Sequence, residues 1–289
     1  MILTRRNFLK NSAVGIAGAM MIPRLLAQEA KAGKIRISAR HFGGNFEGAK
    51  KANLDGVEIC ISGGSSEKLE ISDPKVIGKY KDAIKSSGIP ASSISMDFLN
   101  GHPLATATNG QIWVEQTIAA CREIGATHIL LPFFGGAHLL NGQKEFKKAE
   151  VDSLVTRLKA LAPKAKEAGV TLGIECTLSA KQYIELLDRV GSDSVGAYYD
   201  IGNCTGAGFD VPGDIKTLGN RIAIFHFKDG GAFLGEGKVK MEPVCETIKT
   251  IGYKGWIVLE TSCPTKDTVA DCKRNADFSR KLLGIQAGQ

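Results

Sequence analysis

Residues 170–200 read VTLGIECTLSAKQYIELLDRVGSDSVGAYYD, and the fold turns on how this stretch is parsed. The run Val170–Cys176 is apolar at nearly every position up to Glu175, and Val195–Asp200 repeats that pattern up to Asp200. Between them, Ala180–Val190 carries apolar residues at helical spacing. A strand exposed on one face alternates apolar and polar residues, whereas a strand buried on both faces does not. The stretch is therefore a strand–helix–strand unit whose strands are covered on both sides.

The same unit recurs in both directions. Toward the N-terminus the apolar runs are Ile35–Ala39, Gly56–Cys60, Ala91–Asp97 and His128–Pro132, and toward the C-terminus they are Ile222–Phe227 and Trp256–Glu260. Helix-like segments separate them at Pro74–Ser87, Ile112–Ile124, Ala149–Ala168, Pro243–Ile251 and Thr268–Leu283. Helix stops are written at Ser86-Ser87-Gly88-Ile89-Pro90, Glu167-Ala168-Gly169 and Thr250-Ile251-Gly252, each just before the next strand. Eight strand–helix units in about 255 residues predict an α/β chain built as a single (β/α)₈ barrel, a TIM barrel over residues 33–289. A doubly wound open sheet is the rival, but the first strand is not followed by Gly-x-Gly-x-x-Gly, and no Pro- or Ser-rich linker divides the chain.

Composition narrows the function classes. With 43% hydrophobic and 23% charged residues the 289-residue chain is of ordinary globular type. The net charge of +7 includes five basic residues and one acidic residue within positions 1–32; without these it falls to +3. The remaining lysines are dispersed, with no arginine cluster or interleaved aromatic run, so nucleic acid is not an expected partner. Thr4-Arg5-Arg6-Asn7-Phe8-Leu9-Lys10 matches the twin-arginine export pattern, and the apolar stretch Ala13–Ile22 after it is shorter than the roughly 20 residues of a membrane span. Residues 1–32 are thus expected to be a signal peptide. The mature protein would be periplasmic or extracellular and would keep no stable membrane span. Seven scattered cysteines without a Cys-x-x-Cys pair suggest neither a disulfide framework nor a zinc–thiolate site.

In (β/α)₈ barrels the active site lies at the C-terminal ends of the strands. Four consecutive runs end in a group able to bind a cation or move a proton: Glu175, Asp200, His226 and Glu260. Three carboxylates brought to one rim repel one another unless a cation sits among them. Three oxygen ligands and one imidazole suit Mn²⁺, Mg²⁺ or Co²⁺, and Zn²⁺ is also compatible. Further candidates for contact with substrate are Glu58 at the end of the second run, His41 just past the first, His102 in a loop on the same face, and Lys228. Trp113 and Phe134 offer aromatic faces, with core packing the simpler role.

The motifs Gly-Ile-Glu175, Tyr-Asp200-Ile-Gly-Asn203, His226-Phe-Lys228-Asp229, Leu234-Gly-Glu236-Gly and Leu-Glu260-Thr together resemble the xylose isomerase-like barrels known as sugar phosphate isomerases/epimerases. The likeness runs from about Lys34 to Leu283. It implies that Glu175, Asp200, His226 and Glu260 are metal ligands and that Glu175 and Glu260 double as catalytic acid and base. Asn203 and Glu236 join the substrate-binding candidates, and a homodimer is compatible with the resemblance. The implied activity is isomerisation or epimerisation of a sugar or keto-sugar. A proton is removed next to a carbonyl, and the resulting enediolate is stabilised by the divalent cation. A metal-dependent lyase or hydratase acting on 3-keto-glycosides would share the proton abstraction, and a non-catalytic carbohydrate-binding barrel would share the fold. The family's DNA-cutting endonuclease branch is disfavoured, because Asn203 stands where that branch has a histidine and the chain has five histidines in all.

Overall fold

Strands covered by helices outside and packed against one another inside need apolar side chains in both directions, and the eight runs supply them. The computed structural model describes residues 33–286, so the twin-arginine segment lies outside the described residues. The strands are β1 (Ile35–Ala39), β2 (Gly56–Cys60), β3 (Ala91–Ser95), β4 (His128–Pro132), β5 (Thr171–Glu175), β6 (Val195–Asp200), β7 (Ile222–Phe227) and β8 (Gly255–Leu259). Each pairs in parallel with its sequence neighbour, and β1 pairs with β8 over all five residues of each, which closes the barrel. The open-sheet alternative is thereby excluded.

Around the barrel run α1 (Phe46–Lys51), α2 (Pro74–Ser87), α3 (Gly110–Ile124), α4 (Lys148–Ala168), α5 (Ala180–Val190), α6 (Ile201–Gly206), α7 (Val211–Leu218), α8 (Met241–Thr250) and α9 (Thr268–Leu283). Helix α2 begins with Pro74 behind Asp73, whose side chain accepts from the Lys75 N–H at 2.8 Å. It ends on Gly88 at φ 74°, and α4 ends on Gly169 at φ 71°, as the glycine stops predicted. Sequence periodicity did not mark α1, α6 or α7, which have six, six and eight residues. Two turns or fewer carry too little periodicity to stand out from a loop. Among the described residues no helix is long and apolar enough to cross a membrane.

Side chains alternate across each strand, so every second residue faces the barrel interior. Leu172 and Ile174 of β5, Tyr199 of β6, Phe225 and Phe227 of β7, and Ile257 and Leu259 of β8 belong to the large core under the helices. Leu130, Tyr198, Ile224, Trp256 and Val258 form a separate buried cluster, the plug of the barrel. Gly173 makes room for that plug: a Cβ there would lie 2.8 Å from the Tyr198 ring. Following the alternation one step further up β5, β6, β7 and β8 brings Glu175, Asp200, His226 and Glu260 to the inner side of the C-terminal mouth.

Candidate metal and active site

The four expected ligands converge. One donor atom from each of Glu175, Asp200, His226 and Glu260 lies within 4.8 Å of the others. Parallel register explains the meeting, since Asp200 stands opposite His226 in the ladder between β6 and β7. The last residue of β5 is Glu175, while Glu260 follows β8 with its N–H bonded to the Phe227 carbonyl at 3.0 Å. His226 is fully buried, and Glu175 and Asp200 are nearly so. Its Nδ1 lies 2.9 Å from Glu175 Oε1 and 3.2 Å from Glu260 Oε2.

These residues fit a cation on their own geometry. The Oδ1 of Asp200 accepts the Asn203 N–H at 2.8 Å as the cap of α6, but its Oδ2 is buried without a hydrogen-bond partner. The nearest cation to that oxygen is Lys228 Nζ at 3.6 Å. A buried carboxylate oxygen without a donor is costly, and a bound ion would satisfy it.

The electrostatics of the cluster agree. Burial, and after it the neighbouring Glu175, push the Asp200 carboxyl up to about 7. Glu175 is likewise raised, by burial first and by Glu260 and Glu58 among its neighbours, against the pull of His226. Burial opposes ionisation of Glu260 too, but His226, Arg40 and Lys228 outweigh it and hold that carboxyl well below the usual carboxylate range. Burial alone would lower the His226 imidazole; Glu175, Glu58 and Glu260 overcome it and raise the ring well above its ordinary value.

A dependence of cation binding on pH follows. Below its ordinary 3.8, Asp200 is protonated both folded and unfolded, and its preference for the proton in the fold contributes fully to stability. That contribution is lost as pH climbs through about 7, and His226 loses its own in the same sense at higher pH. A cation requires both groups to give up their protons. Mn²⁺ at 100 times its pH 8 Kd should therefore stabilise the fold by about 2.7 kcal/mol at pH 8, and by much less at the same concentration at pH 5. Thermal scans with and without Mn²⁺ at the two pH values check this, and an equal or larger gain at pH 5 would contradict a cation on these groups.

Above the cluster is a cavity of about 310 Å³ lined by Arg40, Asp97, Asn100, Pro132, Phe134, Glu175, Asn203, Lys228 and Glu260. A larger one of about 510 Å³, beside Asp188, Ser192 and Arg221, opens at the opposite end of the barrel and touches none of the cluster. The position of the ligand set at the strands' C-terminal ends favours the smaller cavity as the working site. Glu260 spans its floor: Oε1 accepts from Arg40 Nη1 at 2.7 Å, and Oε2 accepts from Lys228 Nζ at 3.2 Å. Arg40 also pairs with Asp97. At Gly202 the chain passes so close to Lys228 that a Cβ would come within 2.6 Å of the Lys228 carbonyl oxygen.

The secondary candidates divide. Asn203 and Lys228 line the cavity, as does Phe134 rather than packing only in the core. Glu58 corrects its expected place: it is the third residue of β2, not its end, and is fully buried inside the barrel out of reach of a substrate hydroxyl. His41 is exposed and is not among the cavity-lining residues. His102 is exposed as well and rests edge-on against Trp113, with ring centroids 5.9 Å apart. The Glu236 side chain turns away from the cavity to pair with Arg274, because Asp229 gathers the N–H groups of Gly235, Gly237 and Val239 and folds that loop outward. Sequence reading missed Arg40, Asp97 and Asn100. Arg40 follows directly on β1 and so had a strand-end signal, but only acidic and histidine ends were weighed there. Asp97 and Asn100 sit on a single 3₁₀ turn after β3 that carries no pattern of its own.

The structure thus defines a class of protein: a closed eight-stranded barrel with three carboxylates and an imidazole, a group able to hold a cation, at its C-terminal mouth. The chain belongs to the xylose isomerase-like TIM barrel family, whose model matches residues 46–282. Among solved structures it is similar to D-psicose 3-epimerase determined in the presence of D-fructose (TM-score 0.72, 16% identity, covering 86% of this chain and 99% of the other). It is also similar to 3-keto-D-glucoside 4-epimerase, YcjR, from E. coli (TM-score 0.68, 17% identity, 86% and 99%). Inosose dehydratase of Lacticaseibacillus casei is 24% identical over 153 residues, which cover 42% of this chain and 50% of that protein. The chain thus spans about half the length of the curated relatives it matches.

Proposed function

We propose that this protein is a divalent-metal-dependent isomerase or epimerase of a free sugar or keto-sugar, working by proton abstraction next to a carbonyl. The observation that carries the reading is the meeting of Glu175, Asp200, His226 and Glu260 within 4.8 Å below a polar cavity. Glu175, Asp200, His226 and Glu260 would hold the cation, with Mn²⁺, Mg²⁺ or Co²⁺ best matched to the donors. When bound, the cation acts as a Lewis acid toward the negative charge that builds on the substrate oxygen.

The chain's own groups divide the remaining work. Glu175 enters from β5 and Glu260 from the end of β8, three strands apart in the ring, so they reach the cavity from different sides. One removes the proton from the carbon beside the carbonyl. The other returns a proton to the opposite face for epimerisation, or to the neighbouring carbon for aldose–ketose exchange. Arg40 and Lys228 hold Glu260 as an anion and fix its carboxylate plane. Asn203, Asn100 and Asp97 offer hydrogen-bonding groups to sugar hydroxyls, and Phe134 offers an apolar face. An exported enzyme, as the twin-arginine motif suggests, would meet free sugars rather than phosphorylated ones.

A second reading is supported by the inosose dehydratase relative. In it, the same proton abstraction is followed by loss of a group from the β-carbon, as in a lyase or hydratase on a 3-keto-glycoside. One experiment separates them. The Mn²⁺-loaded protein is incubated in deuterated water with a panel of ketoses and 3-keto-glucosides. Deuterium entering carbon with recovery of an epimer or isomer supports the proposal, whereas an unsaturated or cleaved product supports elimination. Sugar binding without exchange in any member of the panel would leave a carbohydrate-binding barrel.

A further inference from the structure

Glu58 is a fully buried carboxylate that lines no part of the site cavity, yet the barrel surrounds it with donors. Its Oε2 accepts from the Tyr198 hydroxyl at 2.5 Å and from the Ser93 hydroxyl at 2.7 Å. Its Oε1 faces His226 Nε2 at 3.2 Å, and Arg40 Nε lies 3.8 Å from the same oxygen. The Tyr198 ring packs on the imidazole with centroids 4.5 Å apart. Donors from β3, β6 and β7 thus converge on one carboxylate of β2, in a buried layer of the barrel interior. Apolar side chains of similar volume would fill that layer without the cost of burying a charge.

The two nitrogens of His226 face different partners. Nε2 points to Glu58, while Nδ1 points up to Glu175 and Glu260, where the other ligand atoms gather. We infer that Glu58 is a positioning residue for the cation-binding imidazole, held in place by Tyr198 and Ser93. As an acceptor it keeps the proton on Nε2, leaves the Nδ1 lone pair for the cation, locks the ring plane and makes the imidazole a stronger donor. Glu58 acts through His226 and touches neither cation nor substrate. This inference rests on the metal-centre reading of the proposed function.

The test is cation affinity, measured without turnover. Chelator-treated wild type, Glu58→Gln, Glu58→Met and Tyr198→Phe are titrated with Co²⁺ in competition with a chromophoric chelator, and the visible Co²⁺ spectrum of each is recorded. Loss of such an outer partner costs 10–100-fold in metal affinity. Glu58→Met should show the full loss with a shifted Co²⁺ spectrum. Glu58→Gln, which keeps an acceptor for Nε2 but no charge, should fall between it and wild type. Tyr198→Phe leaves Glu58 with the Ser93 hydroxyl and should weaken binding by a smaller factor. A merely structural role predicts wild-type affinity and spectrum in every variant that folds. That result in Glu58→Gln and Tyr198→Phe, with circular dichroism unchanged, would overturn the inference while leaving the metal centre intact. Failure of the wild type itself to bind Co²⁺ would overturn both, and the wild-type arm alone identifies that case.

Discussion

Glu175→Gln is expected to cut the rate of deuterium entry into a reactive keto-sugar by roughly 10²–10⁴-fold, the range for loss of a positioned acid or base. Glutamine keeps the length and shape of the side chain but can neither take a proton nor offer an anionic ligand. Metal content should fall in the same sample, because Glu175 is one of only four protein donors in the cluster. Glu260→Gln should produce a loss of the same order by a different route. Its two oxygens are held by Arg40 at 2.7 Å and Lys228 at 3.2 Å, so the substitution also removes an anion shared by two cations at the cavity. Elemental analysis of each variant, run beside the exchange assay, separates the contributions. A variant that keeps full metal but loses exchange has lost the proton-transfer group alone. If either variant retained wild-type exchange, that glutamate would have no part in the chemistry.

His226→Ala should carry the largest stability penalty of any single change at the site, about 3–5 kcal/mol, as found when one partner of a buried charge pair is removed. Both His226 and Glu58 are fully buried, and the ring Nε2 faces Glu58 Oε1 at 3.2 Å, closer than Arg40 Nε at 3.8 Å. Alanine would leave Glu58 Oε1 without its hydrogen-bond partner and open a cavity against the Tyr198 ring. Chemical denaturation of chelator-treated protein reads the effect directly. Glu175→Gln provides the contrast: it removes one of several mutually repelling carboxylates from a metal-free site, and its stability should stay within about 1 kcal/mol of wild type or rise. The contrast follows from one fact, that the imidazole is the fully buried positive partner of both Glu58 and Glu175. A His226→Ala midpoint equal to wild type would mean that the imidazole does not bridge these acids.

Most of the barrel is legible in the sequence. Five strand runs, Ile35–Ala39, Gly56–Cys60, His128–Pro132, Val195–Asp200 and Ile222–Phe227, match the observed strands residue for residue, as do the helices Pro74–Ser87, Ala180–Val190 and Thr268–Leu283. Doubly buried strands and multi-turn amphipathic helices write their period into the chain, and proline and glycine mark their ends. Where the signal was weak the assignments drifted: the run at Ala91 ended at Ser95 rather than Asp97, and the short helices after β1 and β6 went unmarked.

The convergence of the four mouth residues was legible for a related reason. In a parallel barrel the ends of successive strands meet at one mouth, so Glu175, Asp200, His226 and Glu260 were bound to be neighbours once the strand ends were known. Depth and direction were not. Two residues of β2 separate Glu58 from the mouth, enough to turn an expected substrate contact into a buried partner of His226. Arg40 enters the site because closure of β1 on β8 sets it beside Glu260, a pairing 220 residues apart in sequence. His41, His102 and Glu236 share loops with site residues, but each side chain lies elsewhere, and loop conformation depends on contacts that no local pattern encodes. The sequence alone thus determined the fold and the residue types at its mouth, because strand period and strand ends are local properties. Only the tertiary structure decided which side chains face the cavity and which stand beneath the acidic and histidine cluster, because that depends on register, barrel closure and contacts between distant segments.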